Sequence, residues 1–385
     1  MSALSAPRTA VTRRIGPYTV ITRLDGGDRS GPALLPVPEN RFIARSADGE
    51  RTVLIGVPRA GADHGRFAAE AEASRYLLGP WSAPATETDA SGEVPWHARP
   101  YVPALPLPTA LAVHGGPLPE RTVRALGAAL VENLAILHGQ GLTHAGLSPA
   151  AVLLAADGPR LTCFGAVRAA APDGEPRSGH PALESGSLPP EQATGERPHP
   201  VGDIYALGAV LAYAATGHTV PERDELPAAL RGPITACLSR DPASRTQAAA
   251  LLEEFTRGAG QQGAGAHPDT VVGEEGRAAG LLVAGWLPGR VIAAIARQSA
   301  AVLAAEIQPE SGEASVEAAP TAILTQPASA EPGESAEPPG EPGELPGASR
   351  VTPAETVVDP GAAPAGPSTV VLAEPAHRER ARTDR

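Results

Sequence analysis

Residues 114–154 read HGGPLPERTVRALGAALVENLAILHGQGLTHAGLSPAAVLL. Val123, Leu126, Leu130, Leu134 and Leu137 recur at helical spacing. With a proline at its start and Gly139 at its stop, the segment predicts a helix over Pro119 to His138. The loop that follows carries His144, Gly146, Ser148 and Ala151. What those four residues mean depends on the segments on either side.

Upstream, the chain reads as β-rich with one helix. Tyr18 to Leu24 (YTVITRL), Arg41 to Arg45 and Thr52 to Val57 (TVLIGV) are predicted strands, with a Gly-containing turn at Asp48-Gly49. GRFAAEAEASRYLL, Gly65 to Leu78, is rich in good helix formers. Downstream, Asp203 to Thr216 (DIYALGAVLAYAAT) predicts a helix buried all round. Strands first and helices second imply an α+β, two-lobed unit. Its boundaries are residues 15–257, with a small lobe over 15–103 and a larger helical lobe over 104–257.

Beyond that unit the composition changes. GAGQQGAGAHP opens a linker over 258–287. A short helix is expected over 288–305, with Ile292, Ile295, Ser299, Val302 and Leu303 near one face. Residues 306–385 are a Pro, Glu, Ala and Gly tail that cannot bury enough apolar area to offset its ordering entropy, so disorder is expected there. The same is expected of the polar lead, residues 1–14.

The chain has 385 residues, 42% of them hydrophobic, and a formal net charge of -12. No basic face marks a nucleic-acid partner. No run reaches the roughly 18 to 20 apolar residues of a membrane span. The N-terminus lacks the pattern of a signal peptide, and Cys163 and Cys237 make no disulfide framework. A cytoplasmic protein is expected. All 31 cationic side chains are arginine and none is lysine, so no step that needs a lysine ammonium can run here.

The fragments resemble, in order, the eukaryotic-like Ser/Thr protein kinases of bacteria, over roughly Ile15 to Phe255. IGPYTVITRL resembles the opening strand, RFIARSADGERTVLIGV the next two, PWHARPYVP the hinge between lobes, and residues 114–154 the run into the catalytic loop. LTCFGAVRA stands where the family has D-F-G. LPPEQATG resembles A-P-E, VGDIYALGAVLAYAATG the central helix and LSRDPASRTQAAALL the last core helix. The resemblance implies a bilobal kinase-like fold.

It also implies what is missing. The family's V-A-I-K reads Val53-Leu54-Ile55-Gly56, so glycine stands for the phosphate-holding lysine, and Glu70, the matching helix acid, is expected to lack its partner. Arg59 lies beyond the strand position, and its longer planar fork is no substitute. The catalytic loop puts Gly146 at the base, Ser148 at the second lysine and Ala151 at the metal-binding Asn. Cys163 replaces the D-F-G Asp, a thiol ill matched to a hard cation. Kinase catalysis is positioning and electrostatics, and these positions no longer supply either.

The former ATP site would lie near Gly26, Gly27, Leu54, Val102 and Leu153. Its phosphate loop is degraded, and Asp25 and Asp28 would repel phosphate. Leu54 would fill part of the adenine space. No cofactor and no metal is expected, with weak ATP binding left open.

The matched residues that survive are architectural: His144, Phe164 and Asp203, which connect the lobes in the family, and the Glu191–Arg245 pair. A pseudokinase is implied: a signalling scaffold that binds protein partners, among them an active kinase or a phosphothreonine-reading module. The alternative is an atypical kinase or ATP sensor. Thr270, Thr356 and Thr369, each followed by two valines, are candidate phosphosites. Coincidence in an Ala/Val/Thr/Pro-rich tail is the simpler reading. Cys163 reads as a buried inert thiol with no cation placed near it. His138 and His144 fit no zinc spacing.

Overall fold

The computed structural model describes residues 13–25, 35–257 and 277–305. Strands β1 (Arg14–Ile15), β2 (Tyr18–Arg23), β3 (Glu39–Ser46), β4 (Thr52–Pro58), β5 (Glu87–Asp89) and β6 (Trp96–Pro100) form one antiparallel sheet. Its order is β1-β2-β3-β4-β6-β5. Arg14 pairs with Thr19, so the lead becomes regular one residue before the expected boundary.

Side chains alternate across a pleated sheet, and the two faces differ sharply here. Tyr18, Phe42, Ala44, Val53, Ile55, Val57, Trp96 and Ala98 make an apolar cluster on one face. The other face carries Ile43 and Leu54, and then Glu39, Arg41, Gly56, His97 and Arg99, all of them in or beside the cleft. Register fixes that grouping, because Arg41 pairs with Gly56 and Gly56 with His97, while Ile43 pairs with Leu54 and Leu54 with Arg99.

Helix α1 (His64–Ser74) crosses this sheet, capped by the Asp63 side chain. It ends four residues short of the sequence expectation. Gly79-Pro80 follows closely, and the residue before a proline is pushed out of the helical region. Tyr76 and Leu78 are consequently exposed.

The second lobe begins with β7 (Ala104–Pro106) and α2 (Leu107–His114), followed by α3 (Glu120–Gly139). Strands β8 (Val152–Ala155) and β9 (Gly158–Leu161) join β7 in a three-stranded sheet. Helices α4 (Ala166–Ala170), α5 (Pro190–Ala193), α6 (Pro200–Thr216), α7 (Ala228–Cys237) and α8 (Ala248–Thr256) complete it. α6 is buried on almost every side, as its nearly continuous apolar sequence requires, and the long apolar run of α3 from Ala125 to Val131 is buried likewise.

One further element changes the domain boundary. Residues 277–287, expected to be linker, pack: Ala278, Leu282, Trp286 and Leu287 belong to the same core as α3 and α6. Helix α9 (Gly289–Ala304) follows. Its buried residues are Val291, Ala294, Ile295 and Val302, an i, i+3, i+4, i+11 set. Ile292 and Leu303, placed on that face by the sequence reading, are 36% and 74% exposed. Ile295 and Val302 are buried as expected, while Val291 and Ala294 take the places expected of Ile292 and Leu303. The rest of the linker and the tail lie outside the described residues, as do Gly26, Gly27, Asp28, Thr270, Thr356 and Thr369.

Candidate functional site

The loop between α3 and β8 is held from below by Asp203, in the first turn of α6. Its carboxylate accepts the backbone N–H of His144 at 2.7 Å and of Ala145 at 2.8 Å, and meets His138 Nε2 at 2.9 Å. His138 is therefore engaged by a carboxylate, and among the described residues no cluster of His, Cys, Asp and Glu could hold a metal. His144 is buried, edge-on to Phe164 at 5.7 Å, and neither ring nitrogen has a partner in the protein. Ala145 and Cys163 have positive φ, 50° and 61°, the left-handed region that side chains with a Cβ rarely occupy.

Gly146 lies directly against the carbonyl of Cys163; a Cβ built there would collide with that oxygen and with Ala166 N. Ser148 and Ala151 are buried beside it, and Ser148 Oγ meets no protein partner.

Above the loop, the cleft face of the sheet is charged. Glu39 Oε2 lies 2.7 Å from His97 Nε2. His97 Nδ1 lies 3.1 Å from Arg99 Nη2. A guanidinium can only donate, so Nδ1 accepts and the ring proton points to Glu39. The Cys163 thiol donates to Glu39 Oε1 at 3.7 Å. This chain of side chains crosses the position of Gly56. A Cβ at 56 would stand 2.6 Å from Glu39 Oε2 and 2.5 Å from His97 Cε1. Glycine at 56 is thus the condition for the network.

Beside it, Arg41 is fully buried and grips Asp25 through Nε at 2.9 Å and Nη2 at 2.5 Å. Its Nη1 reaches Thr162 Oγ1 at 3.3 Å. Asp25, expected to face phosphate, is instead paired with this arginine, next to the position of the missing lysine.

Two other expectations change. Glu70 does have a partner: Arg168, three residues past the C-F-G turn in α4, binds it through Nε at 2.8 Å and Nη2 at 2.7 Å. The sequence offered no sign of this pair, because the partners are 98 residues apart. Cys163 does have cations nearby, Arg41 and Arg99. Burial is nonetheless the strongest influence on its thiol and pushes it up to about 12, with the field of Glu39 adding to the rise.

Of the remaining matched positions, Glu191 and Arg245 form the expected bidentate pair at 2.5 and 2.8 Å. Arg59 donates to Val37 O at 2.9 Å, on the cleft's outer lip. Leu54 and Leu153 fall in one apolar cluster with Leu24, Ile43, Ala104, Ala155 and Val302 of α9, while Val102 is partly exposed. A cavity of ≈ 50 Å³ remains between α1 and the sheet, lined by Phe67, Glu70, Ala71, His97, Arg99 and Cys163 among others.

Sequence reading missed Glu39, Arg41, His97, Arg99 and Arg168. For the first four a signal exists: Glu39 and Arg41, and His97 and Arg99, stand two apart within strands, which puts each pair on one face.

The buried groups make the fold acid-sensitive. Burial lowers His144 to about 4, with the Asp203 field opposing it. The unfolded ring takes its proton near pH 6.5, and the folded ring does not until about 4. Folded-state stability therefore falls as pH drops from 6.5 to 4, by roughly 3 kcal/mol for this group. Burial tends to raise Glu39, but the His97 ring, by field and hydrogen bond, together with Arg99 and Arg41, brings it down to about 2. Its contribution is present above about 4.5 and is lost toward 2. Urea midpoints measured from pH 7 to 4 will decline steadily; a flat profile would show that His144 is not buried in the folded state.

No protein-family model matches the chain. Similar proteins are found by sequence. The probable serine/threonine-protein kinase PkwA of Thermomonospora curvata is 34% identical over 264 residues, 63% of this chain and 34% of its own length. The serine/threonine-protein kinase AfsK of Streptomyces coelicolor is 33% identical over 265 residues, 63% of this chain and 32% of its own. AfsK of Streptomyces griseus is 34% identical over 251 residues, 60% and 30% respectively. The chain spans about one third of the length of these relatives. No helix among the described residues is long and apolar enough to cross a membrane. The curled antiparallel sheet, the helical second lobe and these relationships agree: the described part of the chain has a protein-kinase-like fold and is similar in sequence to bacterial serine/threonine protein kinases.

Proposed function

We propose that this domain does not transfer phosphate and acts in signalling by binding other proteins. The observation that carries the reading is the Glu39–His97–Arg99 network running across Gly56, with Arg41 and Asp25 beside it. These side chains use the space in which the family's lysine and nucleotide phosphates would sit. Glycine at 146 and thiol at 163 leave neither base nor hard-cation ligand at the matched positions. Loss of a general base alone costs about 10²–10⁴-fold. The clustering of Leu54 with Leu153 supports a former adenine site filled by the protein itself. The retained pairs, Glu191 with Arg245 and Asp203 with the loop amides, support a fold kept as a binding surface.

Incubation of the purified chain with labelled ATP and Mg²⁺ or Mn²⁺ will give no incorporation. Millimolar ATP will leave the thermal midpoint in place, since a ligand binding only the folded state must raise it. Incorporation would overturn the proposal. A thermal shift without incorporation would replace it with a nucleotide sensor.

A further inference from the structure

Helix α9 has one end in each lobe. At its start, Trp286 O accepts from Thr122 Oγ1 of α3 at 2.6 Å, and Trp286 Nε1 donates to Ala156 O at 2.8 Å. Leu287, Val291 and Ile295 then enter the core of the helical lobe. At its far end the partners change. Val302 packs with Leu24, Ile43 and Leu54 of the small lobe as well as with Ala104 and Leu153. Arg45 of β3 donates from Nη2 to Val302 O at 2.5 Å and from Nη1 to Ala305 O at 3.1 Å.

The last carbonyls of a helix have no intrahelical donor, and they form the negative end of its dipole. Here a guanidinium from the other lobe satisfies two acceptors at that end. A helix of 16 residues is a rod about 24 Å long. If the lobes move apart, one end of it must let go.

The two ends are unequal. The first is held by a tryptophan, one hydrogen bond from its indole, one to its backbone carbonyl, and several buried aliphatic side chains. The second is held by one valine and one half-buried arginine. The second end is also the one from which the chain continues into residues 306–385.

We propose that the Val302–Ala305 end of α9 is a releasable clasp between the lobes, whose closure is coupled to the arrangement of the two lobes of the domain. Holding the clasp shut keeps the small-lobe face at Leu24, Ile43 and Leu54 covered. Releasing it exposes that face and leaves the helical lobe intact. The inference is independent of whether the cleft binds nucleotide.

Hydrogen exchange on the full chain tests it. In Arg45→Ala, amides of residues 296–305 and of β3 and β4 should exchange at least about tenfold faster, the factor supplied by one charge-assisted hydrogen bond. Amides of α3 and α6 should stay unchanged. Val302→Ala, which leaves the arginine in place, should give the same pattern more weakly and covers the case in which the first variant does not fold. No change in residues 296–305 would overturn the clasp. Acceleration spread equally through α3 and α6 would also overturn it, because α9 would then be one more piece of a single cooperative core.

Discussion

Replacing Trp286 with alanine will lower the stability of the folded domain by about 3–5 kcal/mol, the range for emptying a buried aromatic site. Trp286 is only 4% exposed and lies among residues of α3 and the 277–305 segment. Its loss would also leave Ala156 O without its indole donor. A chain ended after Arg257 loses this residue together with Ala278, Leu287, Val291 and Ile295, and should fail to unfold as one cooperative transition. Denaturant midpoints of the two chains measure this directly. A shift in the alanine variant no larger than the ~0.5 kcal/mol of an ordinary surface substitution would mean that residues 277–305 do not belong to the folded unit.

Installing an acid at the matched base position, Gly146→Asp, will produce a less stable protein and no kinase activity. The new Cβ meets a backbone carbonyl, that of Cys163, and a backbone atom cannot swing aside as the tip of a side chain can. Overpacking a rigid site costs about 1–3 kcal/mol and occasionally more. Gly56→Lys meets a different obstacle. It must displace His97 and Glu39, leaving a buried carboxylate without its ring donor, a change of about 3–5 kcal/mol when one partner of a buried pair is lost. Calorimetry of each variant, with a phosphorylation assay of both together, is the check. A stable double variant that transfers phosphate would show that the cleft is an active kinase site lacking only those two groups.

Much of this architecture is legible in the sequence. α3 and α6 announce themselves through apolar periodicity over 17 to 20 residues, and β4 through its β-branched run. The order of the fragments then selects the fold. The residues at Gly56, Gly146 and Cys163 are each read off a local pattern. What could not be read is which distant groups fill the space they leave. Arg168 reaching Glu70 and Arg41 reaching Asp25 are facts of three dimensions, and no local pattern encodes them. Helix α9 was found as a helix, but its phase and its place in the core were not. Its periodicity is shared among many alanines, and its partners on α3 and β3 come more than 150 residues earlier.

The arginine in the cleft has a consequence of its own. A lysine buried among carboxylates can give up its proton and become neutral, whereas a guanidinium stays charged at any pH at which a protein remains folded. With Arg41 and Arg99 as the cations of the cleft, positive charge there is a fixed quantity. Neither guanidinium can titrate. In strong acid, toward pH 2, Glu39 becomes neutral while the two guanidinium groups persist, and the interior acquires a surplus of like charge with no internal route to discharge it. Solvent is the only refuge. The domain's response to acid should then be an opening of the cleft, in which the same two arginines that close it at neutral pH drive its halves apart.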